Sequence, residues 1–140
     1  MSRAIGPAPV KSRPCLLIAE SYDLIGVMLH TALERAGYQV VLASYGASAL
    51  ELALLQRVDL VLIATGLPDM NGLHLHERLC ANRAGGPLPV VFMTGSSDDF
   101  DFRLTSERPL TRLLPKPLDL TALLRMLLEL RHELGLAVPG

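Results

Sequence analysis

Short apolar runs alternate along this chain with longer stretches in which apolar residues recur every three or four positions. That alternation is the pattern of strands feeding helices in an α/β fold with a parallel sheet. Five runs read as strands: Leu16–Ala19, Gln39–Ala43, Leu60–Ile63, Val90–Met93 and a weaker one at Arg112–Leu114. Three are nearly continuous Leu, Ile and Val, as expected where helices cover both faces of a sheet. A first helix from Asp23 to Ala36 carries Leu24, Ile25, Met28, Leu29, Ala32 and Leu33 at helical spacing, with Asp23 as its cap and Gly37 as its terminator. A second, Ala47 to Gln56, turns Leu50, Ala53 and Leu54 inward, and a third, Leu73 to Ala81, is closed by the Gly85-Gly86-Pro87 breaker. The last helix starts behind Pro117 with Asp119 as N-cap and runs through Leu120, Leu123, Leu124, Leu127 and Leu128 towards His132. Its leucines occupy more than one face, which predicts packing beyond its own sheet. Between Asp98 and Pro109, Phe100, Phe102 and Leu104 alternate with period two, while Asp98, Asp99 and Asp101 suit a helix start; the stretch reads as a short distorted helix.

Length and composition narrow the class further. A chain of 140 residues is one domain's worth, with half its residues apolar and only 4% aromatic, so its core is aliphatic. Thirteen basic against fourteen acidic residues give a formal charge of −1, which argues against a protein whose task is gripping nucleic acid or a membrane surface by bulk charge. No apolar stretch approaches the ~18 residues of a spanning helix. The first 14 residues hold three prolines and three basic residues without an apolar run, which predicts a flexible tail, with the folded unit at 15–135 and a short tail at 136–140. Cys15 and Cys80 stand far apart outside any metal or CxxC spacing and read as reduced core thiols; with no export signal, the expected compartment is the cytoplasm. His30, His74, His76 and His132 have helix-surface spacing, and His74 with His76 is flagged only for fortuitous metal binding.

The segment Asp59–Gly72, ending Leu67-Pro68-Asp69-Met70-Asn71-Gly72, resembles the central segment of the response-regulator receiver domain of two-component signalling. Further matches follow in order: acidic Glu20 ends the first strand, Thr94 ends the fourth, and Lys116-Pro117 follows the fifth. Thr94 lies thirty residues past Ala64 and Lys116 twenty-two past Thr94. The resemblance spans roughly Pro14 to Leu134 and implies a flavodoxin-like (βα)5 doubly wound parallel sheet, strand order 2-1-3-4-5. In such a sheet the site forms beyond the carboxyl ends of the strands. Glu20, Ser21, Ala64, Thr94 and Lys116 are therefore expected to converge on one pocket.

In the family that pocket takes a phosphoryl group onto an Asp at the end of the third strand, aided by Mg²⁺, an acidic pair, a hydroxyl and a lysine. Here the acceptor position is Ala64, and a methyl group is no phosphoryl nucleophile. The acidic pair is reduced to Glu20-Ser21, so Mg²⁺ binding is expected to be lost or weak and no other cofactor is implied. With one carboxylate against one lysine, Lys116 is expected to pair with Glu20 or reach backbone carbonyls. The aromatic switch residue expected two or three positions before the lysine is replaced by Leu113 or Leu114.

These departures predict a degenerate, stand-alone receiver, not an enzyme, that acts by docking on a protein partner, a histidine kinase or another signalling protein. Phe100, Phe102, Leu113 and the outer leucines of the last helix are the expected docking surface, and a homodimer through it is compatible with the sequence. Two alternatives stay open: phosphorylation at another acceptor such as Asp69, and a small molecule or anion held in the vacated pocket.

Overall fold

The computed structural model describes residues 13–83, 85–95 and 108–135. Five parallel strands, β1 (Cys15–Ala19), β2 (Gln39–Ala43), β3 (Leu60–Ala64), β4 (Val90–Thr94) and β5 (Thr111–Pro115), form one sheet in the order β2-β1-β3-β4-β5. Four helices are described: α1 (Asp23–Arg35), α2 (Gly46–Leu55), α3 (Gly72–Ala81) and α4 (Leu120–Leu134). This is the doubly wound flavodoxin-like arrangement that the resemblance implied. Right-handed crossovers put α1 on one face, because the chain moves from β1 to β2, and α2 and α3 on the other, because it then moves back through β3 to β4. The distorted helix expected at Asp98–Pro109, with Phe100, Phe102 and the acidic trio, falls almost wholly outside the described residues.

The apolar runs become strands because burial on both faces removes any polar alternation. Every residue of β1, β3 and β4 is buried. β2 lies at the sheet edge, where Val41 and Leu42 are only half-buried. At the start of the sheet, Gln39 N–H donates to the Pro14 carbonyl and Cys15 N–H to Asp59, so Asp59 sits at the end opposite the expected pocket. Burial, with the Asp59 charge adding to it, pushes the Cys15 thiol up to about 11 and keeps it protonated.

The helices follow their sequence signals at the ends and depart from them on their faces. α1 stops where Gly37 adopts φ 103°, a conformation that glycine reaches without a Cβ penalty. Its first residue is Asp23 and the cap position falls to Tyr22. Leu29 and Leu33 are buried, but Leu24 and Met28, expected inward, are 87% and 52% exposed together with Val27. The apolar stripe of α1 is wider than the sheet can cover. In α2 the buried positions are Gly46 and Ala49, with Leu50 and Ala53 half-buried and Leu54 exposed, a correction with the same cause: apolar periodicity marks a stripe but not its buried centre. Asn71 caps α3 by accepting the His74 N–H, and Asp119 caps α4 by accepting that of Ala122.

His76 is a further correction. It is buried within α3, where its Nε2 lies 2.7 Å from the Leu88 carbonyl and its Nδ1 2.7 Å from Arg108 Nη2. The carbonyl requires Nε2–H, so Nδ1 carries the lone pair that Arg108 donates to, and the ring is neutral. Its edge meets Phe92 of β4 at 5.7 Å between centroids. One uncharged histidine thus joins α3, the approach to β4 and the approach to β5.

Gly72, at the start of α3, runs against the end of β3: a Cβ there would stand 2.8 Å from the Ala64 carbonyl oxygen and 2.8 Å from Ile63 Cγ2. Gly72→Ala is expected to cost about 1–3 kcal/mol, read as a lowered urea midpoint at unchanged m-value; an unchanged midpoint would show that this approach is not tight. His76 makes a pH prediction. Burial, reinforced by the neighbouring Arg108 charge, pulls its pKa down against the raising effects of the Leu88 carbonyl and Glu77. Between the two pKa values the unfolded chain binds more protons, so the contribution of His76 to stability is complete above the ordinary histidine range near ~6.5 and is lost as pH falls through the folded value. The His76 ring protons should titrate below the ordinary histidine range in an NMR pH series, and titration above that range would contradict the neutral assignment.

Candidate functional site

The carboxyl ends of the strands build the site. Glu20 follows β1, where its N–H donates to the Ala43 carbonyl at 3.0 Å, and its carboxylate is almost wholly withdrawn from solvent. Oε2 accepts the Tyr22 N–H at 3.2 Å. Oε1 lies 3.0 Å from Lys116 Nζ and has no aligned hydrogen-bond partner, so charge alone holds it. Lys116 follows β5, its N–H donating to the Thr94 carbonyl at 2.8 Å. Its ammonium also stands 5.3 Å from the centroid of the Tyr22 ring, within cation–π range. The lysine is thus bracketed by a buried anion and an aromatic face.

Ala64, the last residue of β3, is buried beside this pair, and its methyl group adds no polar atom. A cavity of about 190 Å³ lies here, with Glu20, Tyr22, Ala64 and Lys116 in its wall and Gly66, Met93 and Gly95 completing it. Of the five residues expected to converge, Glu20, Ala64 and Lys116 line the cavity. Ser21 and Thr94 do not: Thr94 closes β4 and meets Lys116 through its backbone. Tyr22 was not foreseen as part of the site; only its place two residues after an acidic strand end hints at it. Gly66 and Gly95 carry no chemical signal in a sequence.

The loop between β3 and α3 is fixed on every side. Thr65 donates its hydroxyl to the Met93 carbonyl, and its own carbonyl accepts the Gly72 N–H. Asp69 reaches to the start of α2, where its two carboxylate oxygens accept the Gly46 and Ala47 N–H groups at 2.8 and 2.9 Å. These hydrogen bonds, Ala47's first, hold its carboxyl below the usual range. Met70 covers Gly46 so closely that a Cβ there would overlap its side chain. Asp69 is thus a helix cap in trans and lies outside the cavity wall.

Leu114 of β5 is buried and Leu113 half-buried against the core, while Arg112 pairs with Glu129 and Glu133 of α4. Phe100 and Phe102 lie outside the described residues. A larger cavity, about 280 Å³, opens between the carboxyl ends of α2 and α3, where Arg57 is paired with Asp59 and Arg83 donates to the Val58 carbonyl. It lies away from the converging strand ends, so size does not locate the site. No helix among the described residues is long and apolar enough to cross a membrane.

Residues 16–128 match the response regulator receiver domain family. The chain is 32% identical over 121 residues to the uncharacterized transcriptional regulatory protein YbdJ of Bacillus subtilis, covering 86% of this chain and 52% of that protein. It is 30% identical over 122 residues to the TorCAD operon transcriptional regulatory protein TorR of Escherichia coli, covering 87% and 52% respectively. Its span is thus about half the length of these relatives. Among solved structures, a CheY-like response regulator receiver domain from Methylobacillus flagellatus superposes with a TM-score of 0.74 at 26% identity, covering 84% of this chain and 98% of that one. The matched family, the strand order and the lysine and acidic strand ends agree, and the chain belongs to the response regulator receiver domain family of two-component signalling.

Proposed function

We propose that this receiver works without phosphoryl transfer, as a protein-docking module whose pocket is held in one arrangement. The observation that carries this reading is the side chain at the end of β3: Ala64 faces a cavity in which the family's lysine is already engaged by Glu20 and Tyr22. An acyl phosphate needs a carboxylate nucleophile, and the cavity wall offers none at that place. Its donor set does not suit Mg²⁺ either. That ion asks for near-octahedral oxygen ligation anchored by carboxylates, and Glu20, the one carboxylate among the described residues of the wall, is committed to Lys116. Asp69 is a poor substitute acceptor because both its oxygens cap α2. Among the described residues, the polar groups of the wall include no nucleophile beside a base, which supports a binding role over an enzymatic one.

Docking requires an exposed apolar surface, and the described residues offer several, among them Leu54 and Leu55 on α2. Leu24, Val27 and Met28 stand together on α1 beside exposed Tyr22, close to the cavity, and Leu120, Leu128 and Leu134 are partly exposed on α4. The α1 strip is the more exposed of these two and adjoins the cavity through Tyr22. A histidine kinase or another protein of the signalling pathway is the expected partner.

Amide NMR spectra of the protein alone, with Mg²⁺, and with Mg²⁺ plus beryllofluoride test this reading. Peaks of Glu20, Ala64, Thr94 and Lys116 should stay in place throughout. Specific shifts there would overturn it and point to an alternative acceptor or an anion ligand. The ion pair makes an asymmetric prediction of its own. Lys116→Met strands a carboxylate that is 1% exposed and should cost about 1–3 kcal/mol. Glu20→Gln leaves a lysine that is 23% exposed and reaches water, so it should cost less. Equal costs in urea denaturation would contradict a pocket held by this pair.

A further inference from the structure

The larger cavity lies at the start of β3, at the end of the sheet opposite Ala64, where α2 stops at Leu55 and α3 at Ala81. Its inner lining is apolar: Val58 and Leu79 are buried, Leu50 and Ala53 are half-buried, and exposed Leu54 stands at its edge. Arg57 and Arg83 belong to the same wall, and no carboxylate among the described residues does. Arg57 donates its Nε to Asp59 Oδ1 at 3.1 Å. Arg83 donates its Nη1 to the Val58 carbonyl at 3.1 Å and, among the described residues, pairs with no acid.

The charge of this wall does not cancel. Two guanidiniums against the one carboxylate of Asp59 leave a single positive charge beside an apolar surface. Arg83 is also held in place: the Val58 carbonyl anchors it, and its guanidinium packs over Gly85, where a Cβ would stand 3.3 Å from Nη2. A guanidinium carries five N–H donors, and the Val58 carbonyl takes only one of them. The carboxyl ends of α2 and α3 favour cations here, which gives the arginines a structural reason to gather. That preference is a partial charge spread over a helix turn, and a charge-assisted hydrogen bond from a guanidinium to an anion outweighs it. The donors are within reach of solvent, since the Arg57 side chain is 85% exposed. A ligand therefore meets them without any opening of the fold.

We infer that this cavity binds a small apolar monocarboxylate, with the carboxylate taken by Arg83 and Arg57 and the apolar body lying on Leu50, Ala53, Val58 and Leu79. One net positive charge calls for a monoanion, and a planar carboxylate matches the guanidinium fork. The volume of about 280 Å³ suits a single ring or a short acyl chain. The apolar lining selects against inorganic anions, which would lose hydration there without replacement. The site is independent of the Ala64 pocket and stands or falls separately from the phosphorylation-independent reading.

Thermal unfolding and amide NMR with sodium hexanoate, benzoate and phenylacetate, at ionic strength matched with sodium chloride, test the proposal. At least one of these carboxylates should raise the midpoint in a saturable way by binding the native state and shift the peaks of Ala53, Leu79 and Arg83 while leaving those of Glu20 and Lys116 in place. Neutral benzamide and chloride should do neither. Arg83→Met should weaken the response about tenfold or more. It also removes the bond to Val58, so Arg57→Met, which alters a side chain that is 85% exposed, reads the charge without a folding cost and should weaken binding by a smaller factor. Ala53→Leu keeps both charges and fills the cavity, so it should fold and lose the saturable response. The proposal is overturned by silence across the carboxylate series, by benzamide or chloride matching benzoate, or by an Ala53→Leu or Arg83→Met variant that responds as the parent does.

Discussion

A strand buried on both faces has nowhere along its length to put a polar side chain, and this constraint organises the molecule. β1, β3 and β4 are buried at every position, so the chemistry of the chain is pushed to strand ends and to the loops beyond them. Glu20, Ala64 and Lys116 meet for that reason: each is the last residue of its strand or stands just past one, and parallel strands bring their carboxyl ends to the same edge. The geometry of such a pocket therefore comes from the apolar interior, while its chemistry comes from whichever side chain the sequence places at each end. Ala64 changes the chemistry and leaves the geometry intact.

The surroundings of Ala64 are held as firmly as a working acceptor site would require. Thr65 is tied to β4, Gly72 presses on the end of β3, and Asp69 and Met70 grip the start of α2. None of these contacts touches a phosphoryl group. They serve to hold the loop after β3 in place, which is as useful to a docking module as to a phosphoacceptor. Lys116 is the informative residue, because an ammonium beside a buried carboxylate and an aromatic ring already has its charge answered.

The strands and the pocket ends were legible in the sequence because most have a strong local signal, such as an unbroken apolar run, a Gly or Asp at a helix boundary, or the Leu67–Gly72 turn, whereas the strand order came only from the family resemblance that the turn carries. Side-chain burial on the helices was less so. Leu24, Met28 and Leu54 fit an inward stripe by spacing and yet face water, since periodicity gives the phase of an apolar face and not the width that the sheet covers. His76 was read as a surface residue because its spacing on α3 cannot reveal Leu88 and Arg108, which come from later in the chain. The capping of α2 by Asp69, twenty-three residues beyond Gly46, was hidden in the same way. Tyr22 gained its place only when Lys116, ninety-four positions on, was seen over its ring.

Three acidic or basic side chains among the described residues, Glu20, His76 and Arg131, are buried in a mainly aliphatic interior, and they meet the same electrostatic cost in three ways. Glu20 stays charged and has a counter-ion at 3.0 Å. His76 gives up its proton, so that one ring nitrogen donates and the other accepts. Arg131 has neither option, because its guanidinium does not deprotonate and no acid among the described residues pairs with it. The first two solutions are closed within the fold, which makes Glu20 and His76 structural as they stand. The third is met by the face of the Tyr38 ring, whose centroid stands 5.1 Å from the guanidinium.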